Sequence, residues 1–93
     1  MNFIFTGEVW FWKGPAPFYF VTVPEDESRE IKSMEKMVTY GWGMIPATVT
    51  VGKTEFKTAL WPKDDRYIVP LKVAIRKAEN ISEHDKIQIT LDI

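Results

Sequence analysis

The chain has 93 residues, no cysteine, 45% hydrophobic and 14% aromatic residues, and a formal net charge of −1. That length holds a single domain, residues 1–93, around one core, and its apolar content excludes intrinsic disorder. Lacking cysteine, it has no disulfides, thiolate nucleophile or cysteine-based zinc site, and its near-neutrality argues against a general nucleic-acid binder.

Thirteen aromatic rings exceed what one small core needs, so some are expected at the surface or along a cleft. Charge is unevenly placed. Residues 1–52 carry 4 basic and 6 acidic groups, residues 53–77 carry 7 and 3, and residues 78–93 carry 1 and 4. A central block of +4 therefore lies between flanks of −2 and −3, which suits a local anion-binding surface. No run approaches the roughly 20 apolar residues of a spanning helix. Met1 to Glu8 lacks the basic start of a signal peptide. The expected location is the cytoplasm, with no membrane partner.

Asn2 to Trp12 reads as a strand of aromatic and β-branched residues. Phe3, Phe5, Val9 and Phe11 share one face; Ile4, Thr6, Glu8, Trp10 and Trp12 share the other. Gly7 marks a bulge or a close backbone approach. Lys13 to Pro17 is a turn, and Phe18 to Val23 returns as an antiparallel strand. Both faces of this pair carry large apolar groups, so either both are covered or one lines a groove.

From Pro24 to Met37 the pattern becomes helical. Pro24, the acidic first turn, and Asp26 or Ser28 as a cap mark its start. Ile31, Met34 and Met37/Val38 form the stripe that meets the sheet. In Tyr40-Gly-Trp-Gly-Met44, two glycines bracket Trp42, which reads as a bent strand entry or a ligand-stacking ring.

Ile45, Ala47, Val49 and Val51 alternate with polar residues as a half-buried strand. Gly52-Lys53 is a two-residue turn of type II′, joining it to a strand from Thr54 to Leu60. Trp61 to Arg66 reads as a turn-rich loop. Two periodicities compete over residues 69–77. Val69, Leu71, Val73 and Ile75 alternate as in a strand, whereas Leu71, Ala74, Ile75 and Ala78 form a helical stripe. Pro70 at a first helical position and the two alanines favour the helix. A turn over Ile81 to Asp85 leads to a last strand with Ile87, Ile89, Leu91 and Ile93 on one face. The expected fold is mainly β: six strands in a small closed barrel, one helix after the second strand and a short helix before the last.

The ordered set of pieces resembles the domain-of-unknown-function 1905 family. The matching residues are Phe5-Thr-Gly-Glu-Val-Trp10, Gly14-Pro-Ala-Pro17, Phe20-Val21, Pro24 with Ser28 and Ile31-Lys32, and Gly41-Trp-Gly43. They continue through Pro46-Ala-Thr-Val-Thr-Val-Gly52, Leu60-Trp-Pro-Lys63, Tyr67-Ile-Val-Pro-Leu-Lys72, and Ile75-Arg-Lys-Ala-Glu79 with Ile81 to Asp85. The resemblance implies a double-split barrel, a cytoplasmic location, and relatives fused to a bacteriocin-protection-type domain; it implies no known activity. The chain departs from the pattern at three positions. His84 stands where relatives have glycine, and is expected to take its positive φ. Ala59 stands for serine, and Trp61 for phenylalanine.

Catalysis is not expected. The single histidine, His84, has no serine or cysteine partner, and with Glu83 and Asp85 it falls short of a metal site. No cofactor is implied. Binding fits better. Arg76, Lys77, Lys57 and Lys63, with Trp42, Trp61 and Tyr67, are the expected contacts of a basic, aromatic cleft for a small anionic ligand. The alternative is a module that docks a protein partner or a second copy of itself through exposed rings.

Overall fold

The computed structural model describes residues 1–34 and 43–93. In chain order the elements are β1 (Asn2–Trp12), β2 (Phe18–Thr22), α1 (Glu25–Ser33), β3 (Ile45–Val51), β4 (Thr54–Lys63), β5 (Arg66–Leu71), α2 (Val73–Ala78) and β6 (Lys86–Asp92). The six strands close into an antiparallel barrel in the order β1-β2-β5-β4-β3-β6. This is the expected fold class. No helix among the described residues is long and apolar enough to cross a membrane.

Two strands hold the barrel together by each serving two sheets. β1 pairs with β6 along residues 2–8 and with β2 along residues 9–12. β4 pairs with β3 along residues 54–60 and with β5 along residues 61–63. Strand alternation then sorts every side chain. Val9, Val21, Val49, Val69, Leu60, Leu71, Ile89 and Leu91 point inward and are fully buried. Where β1 changes partner, Gly7 meets β2. A Cβ added there would lie 2.6 Å from Val21 Cγ1, so the close approach expected of this glycine is present. The turn before β6 fills the other side of β1: Val9 N–H donates to Asp85 O (2.8 Å) and His84 N–H to Val9 O (2.7 Å). His84 holds φ 75°, the positive φ expected of it.

α1 begins differently from the sequence reading. Pro24 is its N-cap and makes no side-chain cap, so neither Asp26 nor Ser28 serves. Ser28 is buried instead. Its Oγ donates to Val23 O (3.0 Å) and accepts from Tyr67 N–H (3.2 Å), which ties the helix to the ends of β2 and β5. Ile31 is fully buried as expected, and the helix ends at Ser33. The Met37/Val38 part of the stripe and Trp42 lie outside the described residues.

Two further expectations are corrected. Trp61 to Arg66 is not a loop: β4 runs on to Lys63, and only Asp64 and Asp65 form the turn to β5. Both have positive φ (51° and 64°), as a type I′ hairpin demands, but neither is the glycine or asparagine that signals one. Pro70 does not open the short helix. It sits within β5, and α2 starts at Val73 with Lys72 as its N-cap. The alternating and helical patterns over residues 69–77 are each right over half the segment. Gly52 has φ 58° at the first position of the expected hairpin turn. Glu79, following α2, accepts from Thr54 Oγ1 (2.6 Å) and Lys53 N–H (3.3 Å), pinning the helix to that hairpin.

Two substitutions test this fold. Gly7→Ala drives a methyl into a fully buried valine and is expected to cost about 1–3 kcal/mol, lowering the melting temperature by roughly 4–8 °C per kcal/mol; an unchanged melting curve contradicts the packing of β1 on β2. At the second turn, Asp65→Gly removes a left-handed L-residue and is expected to stabilise by about 1 kcal/mol, whereas Asp65→Ala destabilises. Thermal unfolding of the three proteins checks that ranking.

Candidate functional site

The same alternation that fills the barrel leaves aromatic residues on its outside. In β2, Val21 faces in, so Phe18 and Phe20 face out. Phe20 lies opposite Trp10 of β1 on one side and Pro70 of β5 on the other. Although it is on the outer face, it is 1% exposed, because other rings cover it. Its centroid is 5.3 Å from Trp10, 5.3 Å from Trp61 and 5.6 Å from Phe18, all tilted or edge-on arrangements that aromatic quadrupoles favour. Trp10 is fixed by its Nε1–H, which donates to Thr22 Oγ1 (3.0 Å). Trp12 and Trp61, at the margins, remain 39% exposed.

Trp61 separates two hollows. The smaller, about 160 Å³, is walled by Trp10, Trp12, Phe20, Pro62 and Ile68, with Lys63 at its rim. The larger, about 650 Å³, runs between Phe18, Pro17 and Pro70 on one side and Pro46 and residues 57–59 of β4 on the other, with Lys57 and Lys72 along it. No carboxylate among the described residues lines either hollow. Lys63 Nζ is 3.2 Å from Asp64, whereas Lys57 and Lys72 have no ion pair among the described residues.

The structure brings together three of the residues singled out from sequence: Trp61, Lys57 and Lys63. It places Arg76, Lys77 and Tyr67 elsewhere, and Trp42 lies outside the described residues. The Arg76 guanidinium lies 3.9 Å over the ring of Tyr19, and its Nε–H donates to Leu71 O (3.3 Å). Tyr19 belongs to the opposite face of β2 from Phe18 and Phe20, so Arg76 is apart from the aromatic hollows and already engaged. Lys77 is exposed on α2 beside it. Tyr67 is 2% exposed and forms part of the barrel core. Among the described residues, no cluster of His, Asp or Glu is arranged to hold a metal. His84 is ringed by carboxylates instead, with Nδ1 3.2 Å from Glu8 and Nε2 3.4 Å from Glu83.

Sequence reasoning did not single out Phe18, Phe20, Trp10, Pro70 and Lys72 as members of the site. The signal was available in strand parity. Phe18 and Phe20 stand opposite in phase to the buried Val21, and Lys57, Ala59 and Trp61 stand opposite in phase to Leu60. What hid Lys72 was the misplaced helix start, which turned its side chain the wrong way.

No curated protein matches the chain. The model of a family described as a domain of unknown function (DUF1905) matches residues 5–91, nearly the whole of its length, and the chain therefore belongs to that family.

Proposed function

We propose that this protein is a binding module whose contact surface is the outer aromatic face around Trp61, and that its ligand is a small anion with a flat or apolar body. One observation carries the reading: an exposed tryptophan stands between two apolar hollows whose only charged lining residues, among the described residues, are Lys57, Lys63 and Lys72. Rings supply contact area at little entropic cost, and unpaired ammonium groups at the rim supply the selection for an anion. Lys57 and Lys72 carry that selection, since Lys63 is partly neutralised by Asp64. Arg76, stacked on Tyr19, contributes to stability rather than to the ligand. A chain without cysteine suits the reducing cytoplasm, and we place the module there.

The test pairs 2-naphthoate with the neutral 2-naphthamide, followed by tryptophan fluorescence. Naphthoate is expected to bind more tightly than the amide. Replacing both Lys57 and Lys72 with glutamine weakens it about tenfold, and Trp61→Ala weakens both compounds. Arg76→Ala leaves both affinities unchanged while lowering the melting temperature. Equal binding of acid and amide, or affinity insensitive to Trp61, overturns the proposal.

A further inference from the structure

The larger hollow contains a second kind of recognition element, made of main chain. Residues 57–59 of β4 line it consecutively, which side chains of one strand face alone cannot do; the backbone itself borders the groove. Two hairpins fix the direction of every β4 amide. In a two-residue hairpin the flanking pair exchanges both hydrogen bonds, and hydrogen-bonded pairs then alternate along the ladder. Val51↔Thr54 flanks the first turn, so Thr54, Phe56, Thr58 and Leu60 bond to β3. Lys63↔Arg66 flanks the second, so Lys63 and Trp61 bond to β5. Both assignments give the odd residues the same direction, toward β5. Lys57 and Ala59 therefore point their N–H and C=O groups away from β3 and into the groove.

β5 is not paired with them. The next rung after Trp61↔Ile68 would pair Ala59 with Pro70, and Pro70 has no N–H to give. Among the described residues the β4–β5 register ends at Trp61↔Ile68, and no turn, loop or cap backbone group bonds to Lys57 or Ala59. A proline thus ends the β4–β5 ladder and, among the described residues, leaves a short strand edge unpaired.

We propose that this edge receives an extended, acidic peptide segment of another protein, which adds a strand beside β4 through Lys57 and Ala59. The inference rests on the binding-surface reading above and names the ligand class for its larger hollow. Edge addition draws affinity from main-chain bonds and specificity from flanking side chains. Here the flanking groups are Lys57 and Lys72, neither in an ion pair among the described residues, with Trp61 and Phe18 offering apolar contact to alternate residues. Charge complementarity selects acidic side chains. A second copy of this chain fits less well, because its own β4 edge is recessed in the same way between β4 and β5, and two recessed edges do not reach each other.

The test uses a blocked hexapeptide of alternating glutamate and valine, the same peptide N-methylated at alternate amides, and its lysine-valine counterpart. The readouts are binding by tryptophan fluorescence and the amide resonances of Lys57 and Ala59. The acidic peptide is expected to bind at millimolar concentration or below, to shift both amides and to slow their hydrogen exchange. N-methylation and charge reversal should each weaken it by about tenfold or more. Equal binding of the N-methylated peptide overturns strand addition while leaving the anion-binding surface intact. Absence of binding by peptide and naphthoate alike overturns both. Slow exchange of Lys57 and Ala59 that grows with protein concentration and needs no peptide assigns the edge to self-association and overturns the peptide. The Ala59→Pro variant, folded by circular dichroism, is expected to lose the peptide; retained peptide affinity contradicts the proposal.

Discussion

The arrangement of this protein depends on two strands that each divide between two neighbours. Six strands of this length close into a barrel only because β1 and β4 bend from one sheet into the other. At the β1 division, Gly7 lets β2 approach and the turn around His84 supplies the backbone bonds that β6 no longer makes. At the β4 division no comparable closure forms among the described residues. Pro70 withholds the one N–H that would continue the ladder, and a groove remains. The two divisions are topological equivalents with different outcomes, and the difference lies in a glycine in one and a proline in the other.

Burial and exposure follow from the same geometry. Inward positions are filled mainly by valine, leucine and isoleucine, whose branched chains pack on a pleated surface, with Phe3, Phe5 and Tyr67 among them. The outer face over β2 is equally apolar but built from rings, with Phe20 covered by its neighbours and Trp61 left at the edge. Such a surface costs solubility unless it has a use. The charge pattern points the same way. Of the seven basic residues between Lys53 and Lys77, Lys57, Lys63 and Lys72 border the aromatic hollows, and Arg76 is spent on Tyr19.

Most of the fold was readable from period and punctuation. The alternation of Ile45 to Val51 and of Ile87 to Leu91, and the Gly52-Lys53 turn, identify strands and a hairpin without outside help. The Asp64-Asp65 turn was hidden because its residues are not the usual formers of left-handed backbone; only the pairing of Lys63 with Arg66 reveals it. Pro70 misled for a related reason. Its missing N–H suits a first helical position and an unladdered strand position equally, and only the direction of the neighbouring amides separates the two. The site was half visible: Trp61, Lys57 and Lys63 come together, whereas Arg76 has a partner, Tyr19, that lies 57 positions away and is brought near only by barrel closure.

The measurement that bears most directly on this account is amide hydrogen exchange along β4 in the free protein. The ladder to β3 predicts slow exchange at Phe56, Thr58 and Leu60, and fast exchange at the intervening Lys57 and Ala59. Uniformly slow exchange from Phe56 to Leu60 would mean that the β5 side of β4 is already occupied, and the open edge on which the peptide reading stands would not exist.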